Sequence, residues 1–219
     1  MLRFLIADDH PVVRQGLIRI LSAEWPQATI VEACDASAVN HALRDGNWEL
    51  VTLDLRMPGS VGLELLKQIK DTHPRIPILI LSAYPEEQYA RRSLHAGASG
   101  YLTKDTCVPE LIGAVRRVLA GGRYISPAAA ELLANSLTVP RADLPPHERL
   151  SDREYTIFCA LASGKAVTEI ASLLALSVKT VSTYRTRLLK KTGMRSNAEI
   201  IHYAVIRQLV DPNEILVPS

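Results

Sequence analysis

A chain of 219 residues has room for one large domain or two small ones, and two is the expectation carried forward. Hydrophobic residues make up 47% of it and charged residues 22%, which argues against disorder and leaves enough apolar mass for a core in each half. The net charge of +2 conceals an asymmetry: residues 1–140 carry 14 Lys and Arg against 15 Asp and Glu, and residues 141–219 carry 11 against 8.

From the N-terminus, Met1 to Asp9 form an apolar run too short for a signal peptide or a membrane span, so a cytoplasmic protein with no membrane partner is expected. Short apolar runs at residues 3–7, 29–33, 50–53, 76–81 and 100–102 read as strands. Each is followed by a helical pattern, such as residues 61–70 with Leu63, Leu66 and Ile69 recurring. Five such units predict a doubly wound, flavodoxin-like α/β domain over residues 1–121, with Pro11 in the first turn of its first helix. Residues 122–149 read as a linker: an Ala-rich stretch with room for one short helix, then Pro140, Pro145 and Pro146.

Residues 150–215 predict an all-α domain of four helices. Ser151 to Glu154 is a capping box, and Ser196 to Glu199 has the same spacing. Between them, Val167, Ile170, Ala171 and Leu174 share one helix face, a turn follows at Ala175-Leu176-Ser177, and Ser177 caps a third helix. Cys34, Cys107 and Cys159 lack the spacing of a metal or redox pair and read as buried thiols.

In an open parallel sheet the loops after the strands hold the ligand. Here the first strand ends in Asp8-Asp9, the third in Asp54, the fourth in Ser82 and the fifth in Thr103-Lys104. Carboxylates gathered at one edge repel unless a cation joins them, and an all-oxygen set suits Mg²⁺. Lys104 and Ser82 would then serve phosphoryl oxygens, with Asp54, alone on the central strand, as nucleophile. His10 beside Pro11 reads as a surface or capping residue more than as a ligand.

Ala7-Asp8-Asp9-His10, Leu53-Asp54-Leu55-Arg56-Met57-Pro58-Gly59 with Gly62, Leu81-Ser82-Ala83 and Gly97-Ala98-Ser99-Gly100-Tyr101-Leu102-Thr103-Lys104 resemble the receiver domain of two-component response regulators. There, a sensor histidine kinase donates a phosphoryl group to an aspartate. The resemblance implies phosphorylation at Asp54. It also implies direct Mg²⁺ ligation by Asp9, Asp54 and the Arg56 backbone carbonyl, with Asp8 acting through water. Ser82 and Tyr101 would be the switch pair, Tyr101 turning inward on phosphorylation, and Arg56 and Tyr84 would tune the phosphoryl lifetime. Asp105 stands where many receivers have proline, so no cis bond is assumed there.

The stretch Lys179 to Arg195 holds six cations and no acid, a run that attracts polyanions. With Val181, Leu188 and Leu189 facing the core, Ser182, Thr183 and Thr186 are the candidate base readers of a helix in a DNA major groove. Lys179, Thr180, Tyr184, Arg185, Arg187, Lys190 and Lys191 are the candidate phosphate contacts. Leu150 to Glu154, Glu169-Ile170-Ala171, Leu176 to Val181 and Leu188 to Lys191 resemble the LuxR-type helix-turn-helix of NarL/FixJ response regulators. Arg185 departs from the apolar residue usual in that family. The resemblance makes Ala198, Ile201 and Val205 candidates for pairing two such domains, core packing being the alternative.

The expectation is a response regulator and not an enzyme, its only chemistry the Mg²⁺-dependent gain and loss of its own phosphoryl group. Its partners would be double-stranded DNA, the kinase, a second copy of itself once phosphorylated and, as a further candidate, RNA polymerase. Phosphatases with aspartyl-phosphate chemistry commonly place a second acid two residues after the nucleophile, where this chain has Arg56, which argues against that alternative. DNA binding independent of phosphate, with the first domain serving for dimerisation alone, is the remaining alternative.

Overall fold

The computed structural model describes residues 2–44, 46–58, 63–105, 107–138 and 144–210. The chain divides into two compact units, Met1–Ser136 and Leu137–Ser219.

In the first unit β1 (Arg3–Ala7), β2 (Thr29–Ala33), β3 (Leu50–Leu53), β4 (Ile78–Ser82) and β5 (Gly100–Thr103) form one sheet. Its order is β2-β1-β3-β4-β5, and every pairing is parallel. Strands covered on both faces read as continuous apolar runs, and β3 and β4 are buried at every position. The helices α1 (Pro11–Glu24), α2 (Ala36–Arg44), α3 (Glu64–Thr72), α4 (Glu86–His95) and α5 (Cys107–Leu119) connect them. Leu17 and Leu21 of α1 and Leu111, Ala114, Val115 and Val118 of α5 pack on Phe4, Ile6, Leu79 and Leu102 in one core cluster. At about 25 cal/mol per Å² of apolar surface, this burial is what drives the sheet and its helices together. Parallel order with a crossover beside β1 puts the C-terminal ends of β1 and β3 next to each other, where such sheets bind ligands.

Three elements differ from expectation in their bounds. β4 begins at Ile78 rather than residue 76, since Pro77 has no N–H for the ladder and offers only its carbonyl, which accepts from Val51 N. It runs one residue further, because the Ser82 carbonyl accepts from Lys104 N and extends the pairing. β5 likewise ends at Thr103. α3 covers Glu64–Thr72, not residues 61–70; Gly59, Val61 and Gly62 lie outside the described residues. In the expected linker, Ser126 accepts from Ala129 N and starts α6 (Pro127–Thr138), while Pro140 lies outside the described residues.

The second unit holds a short 3₁₀ turn (Pro146–Arg149), then α7 (Asp152–Ala162), α8 (Val167–Leu173), α9 (Val178–Thr192) and α10 (Asn197–Ile206). Tyr155, Phe158, Leu161, Ile170, Val181, Leu188, Ile200 and Ala204 are buried in its core. α7 starts with the reciprocal capping box, Glu154 N donating to Ser151 Oγ and Ser151 N to Glu154 Oε2. Ser177 caps α9, accepting from Thr180 N, and Gly193 ends that helix at φ 75°, a left-handed geometry that favours glycine. The second capping box is only half formed. Ser196 Oγ accepts from Glu199 N, but the Glu199 carboxylate accepts from Arg195 N instead of the cap residue.

No helix among the described residues is long and apolar enough to cross a membrane. The reading of three buried thiols is corrected: Cys34, one residue beyond β2, is exposed and Cys159 half-buried, while the Cys107 side chain lies outside the described residues.

Candidate functional site

The ends of β1, β3 and β5 bring Asp8, Asp54 and Lys104 into contact. Lys104 Nζ lies 2.7 Å from Asp8 Oδ2 and 2.6 Å from Asp54 Oδ2, bridging two carboxylates that are almost wholly buried. Asp54 Oδ1 accepts from Arg56 N at 3.1 Å, and Asp8 Oδ1 accepts from His10 N at 2.8 Å. The loop backbone therefore fixes the second oxygen of each acid while lysine holds the first. Asp9 is partly open, and its Oδ1 stands 2.7 Å from the exposed His10 ring. His10 is the residue before α1 and makes no side-chain cap.

Asp8, Asp9, His10 and Asp54 each present a ligand atom, all within 4.8 Å of one another. Asp8 Oδ2 and Asp9 Oδ1 are buried without a well-formed hydrogen bond, although each faces a nitrogen. Three carboxylates against one lysine leave negative charge in excess, and the hard oxygen donors fit a small divalent cation. Burial chiefly, with Asp8 adding repulsion, holds the Asp54 carboxyl above the ordinary carboxylate value despite Lys104 and the Arg56 amide. Burial opposes the Lys104 charge, yet Asp54 and Asp8 outweigh it and raise its pKa.

Ser82 is fully buried at the end of β4, and its Oγ accepts from Tyr84 N at 3.2 Å. The Tyr101 hydroxyl donates to Tyr84 O at 2.7 Å, and burial pushes its pKa upward. The tyrosine is thus inward, the position that the resemblance gives it behind Ser82. Its ring is buried and its one donor is satisfied. Tyr84 stacks on Tyr89 at 4.5 Å between ring centroids, and the Arg56 guanidinium lies 5.8 Å from the Tyr84 ring.

In the second unit α8, the turn and α9 have the expected helix-turn-helix order. Lys179, Ser182, Thr183, Thr186, Arg187 and Lys190 are exposed on α9, with Thr180 and Tyr184 half-exposed. Thr183 and Thr186 donate their hydroxyls to the Lys179 and Ser182 carbonyls. Two expected phosphate contacts are engaged within the unit. Lys191 Nζ donates to the buried Glu154 at 2.7 Å, and the half-buried Arg185 donates through Nε to Asn197 Oδ1 at 2.7 Å. Burial opposes the Glu154 charge, but Lys191 and the Ser151 cap outweigh it and hold that carboxyl below its ordinary value. On α10, Ile200 and Ala204 take the core positions, while Ala198 is exposed and Ile201 and Val205 are half-buried.

Sequence reading missed two side chains that shape these sites. Arg14 donates to the Asp8 backbone carbonyl at 2.8 Å and pairs with Glu32 at 2.9 Å, anchoring the strand end beneath the acids. Its position one turn into α1 was the available signal. Glu154 was read only as a cap, and nothing in its spacing reveals the partner 37 residues away.

Comparison with known proteins matches both units. Residues 4–116 match the family described as response regulator receiver domain, and residues 148–204 match bacterial regulatory proteins of the luxR family. The chain is 35% identical over 211 residues to the response regulator GacA of Pseudomonas viridiflava, covering 96% of this chain and 99% of GacA. The response regulator UvrY of Escherichia coli K12 is 34% identical over 206 residues, 94% of each chain. Among solved structures, RcsB from Salmonella enterica serovar Typhimurium, bound to promoter rprA in the presence of phosphomimetic BeF3⁻, is similar at a TM-score of 0.67. Its identity is 26%, with 94% of this chain and 99% of RcsB covered.

Proposed function

The chain belongs to the response regulators that join a receiver domain to a LuxR-type helix-turn-helix, and on that premise we propose that a sensor histidine kinase phosphorylates Asp54 and the resulting homodimer binds double-stranded DNA to regulate transcription. The observation that carries this reading is the Asp8, Lys104, Asp54 bridge at the strand ends, with two acids held by backbone amides and one cation between them.

In the transfer an Asp54 carboxylate oxygen attacks phosphorus, an O–P bond forms as the N–P bond of the phosphoimidazole breaks, and the ring nitrogen keeps the electron pair and takes a proton. Asp9 and Asp54 with the Arg56 carbonyl, and Asp8 through water, would hold Mg²⁺, which when bound neutralises charge on the phosphoryl oxygens. Lys104 would balance the same charge, and the Ser82 hydroxyl would donate to a phosphoryl oxygen. Hydrolysis of its own acyl phosphate is the only other reaction this reading gives the chain; it has no substrate to turn over.

On DNA, α9 enters the major groove with Ser182, Thr183 and Thr186 at base edges, and Lys179, Thr180, Tyr184, Arg187 and Lys190 at phosphates. Arg185 and Lys191 serve chiefly to hold α9 in place. Ala198, Ile201 and Val205 pair two such domains over inverted half-sites. The similarity to RcsB bound to promoter rprA in the presence of phosphomimetic BeF3⁻, and to two RcsB dimers bound to two parallel DNAs, supports DNA binding by a dimer. The protein works in the cytoplasm, and RNA polymerase is a further partner.

Acetyl phosphate with Mg²⁺ tests the first half: intact mass should rise by one phosphoryl group, and Asp54→Asn should remove that gain. Persistent labelling of the variant would overturn the assignment of Asp54. The second half is tested by operator affinity with and without BeF3⁻ at one salt concentration, where equal affinities would mean that DNA binding ignores the pocket.

A further inference from the structure

Beyond β5 the chain does not leave the first unit directly. Tyr124 N donates to Ser99 O at 2.8 Å, and Tyr124 forms a parallel bridge with Gly100, so the segment lies along the sheet edge. Only glycine fits at position 100, because a Cβ there would meet the Tyr124 carbonyl at 2.9 Å. The Tyr124 hydroxyl donates to Glu110 of α5 at 2.6 Å. Two residues on, Ser126 Oγ donates to Glu86 Oε2 at 2.7 Å while accepting from Ala129 N at 3.0 Å. One hydroxyl therefore caps α6 and fastens its start to the first residue of α4.

Glu86 follows directly on the loop that carries the switch. Tyr84 N donates to Ser82 Oγ, and Tyr84 O accepts from Tyr101, so both switch side chains hold the backbone two residues before Glu86. A Ser82 hydroxyl that also meets a phosphoryl group on Asp54 would hold this backbone, and Glu86 with it, more firmly in place.

We infer that Ser126 and Glu86 are positioning residues that couple the Ser82–Tyr101 switch to the linker helix α6, the clamp between them belonging to the state with Tyr101 inward. The inference rests on the phosphorylation reading proposed above. Phosphorylation reinforces the inward tyrosine, hence the clamp, hence the order at the start of α6 that carries the signal out of the first unit. The coupling runs through two hydrogen-bonded groups and one short backbone step, a contiguous path from the switch to α6.

The test uses the full chain, Mg²⁺ and BeF3⁻, with hydrogen exchange read over residues 82–90 and 124–130 and affinity read on a DNA fragment selected from a random pool. In the parent chain BeF3⁻ should slow exchange in both segments and tighten binding. Ser126→Asp keeps a carboxylate to cap α6 but repels Glu86. It should retain the response at 82–90, lose it at 124–130, and cut the BeF3⁻ enhancement of affinity by about fivefold or more. Adding Glu86→Gln supplies an amide donor to the new aspartate and should restore both responses, which a plain loss of folding would not. Parent-like exchange and affinity responses in Ser126→Asp would overturn the clamp while leaving Asp54 phosphorylation intact. So would faster exchange at 124–130 on adding BeF3⁻ to the parent. No response at 82–90 in the parent would remove the phosphorylation reading and the clamp together.

Discussion

Lys104 in the first unit and Lys190 in the second are both cations meant for phosphate oxygens, yet their surroundings have little in common. Lys104 sits between two buried carboxylates that fix its position. Lys190 is exposed on α9, beside Lys191, which is tied to Glu154 instead. The difference follows from the anion each meets. A transferring phosphoryl group needs charge fixed in place within a site partly shut from water, where it acts strongly and does not have to reorganise. A DNA duplex carries one charge per roughly 1.7 Å and is bound largely through released counterions, so solvated, mobile cations suffice. Pre-paired charge marks the chemical site, and open charge marks the docking surface.

Removing one charge from each surface sharpens that contrast. Lys104→Ala should slow Asp54 labelling by acetyl phosphate by about 100-fold or more, measured as initial rate by intact mass, because a fixed donor to the transition-state charge is lost. The same variant leaves two buried carboxylates facing each other. Its thermal midpoint without Mg²⁺ should therefore fall, and its gain on adding Mg²⁺ should exceed that of the parent. An unchanged labelling rate would mean that the lysine serves only the fold.

The adjacent lysines of α9 give the next largest effects. Lys191→Met strands the buried Glu154 carboxylate and should cost the second unit about 1–2 kcal/mol, less than a fully buried pair because the lysine is half in water. The readout is exchange of the α7 and α9 amides under denaturant. Lys190→Ala should leave that stability within about 0.5 kcal/mol. Its effect appears instead in DNA binding, where the slope of log affinity against log salt should fall by about one. Equal salt slopes for the two variants would erase the division of labour between them.

The strands were legible because β1, β3 and β4 are almost wholly buried and hence largely apolar, Thr52 being the polar residue inside β3. Asp8, Asp54, Ser82 and Lys104 were legible because each ends such a run. α9 was legible from its cap and its cations. What the sequence hid were pairings made across the chain. Lys191 looks the same as Lys190 in a list of charges, and only the fold brings Glu154 to one of them. Arg185 falls in the same basic run, but Asn197 of the next helix takes it. Tyr101 could be assigned to a switch but not to a rotamer, since inward and outward positions use the same residues. Cys34 was misread because a cysteine's usual burial says nothing about one placed just past a strand end, where the chain turns into water.

The smallest expected effect sets the two units against each other through pH. Asp54 has its pKa raised by burial above the ordinary 3.8, whereas Glu154 is held below the ordinary 4.5 by Lys191 and the Ser151 cap in spite of burial. For Glu154 the unfolded chain binds the proton first as pH falls. Its stabilising contribution is complete above the unfolded pKa and disappears as pH drops through the folded one. For Asp54 the folded chain binds the proton first, so its ionisation opposes folding above the raised pKa and that opposition lifts on acidification. In Mg²⁺-free buffer, Glu154→Gln should destabilise the second unit near neutrality and flatten its loss below the ordinary glutamate range. Asp54→Asn should stabilise the first unit near neutrality by a smaller margin, one that shrinks as pH falls. Trp25 and Trp48, the chain's two tryptophans, both lie in the first unit, so their fluorescence follows that unit while amide exchange of α7 to α10 follows the other. Substitutions that shift both units in the same direction with pH would show that the two buried carboxylates differ less than their partners imply.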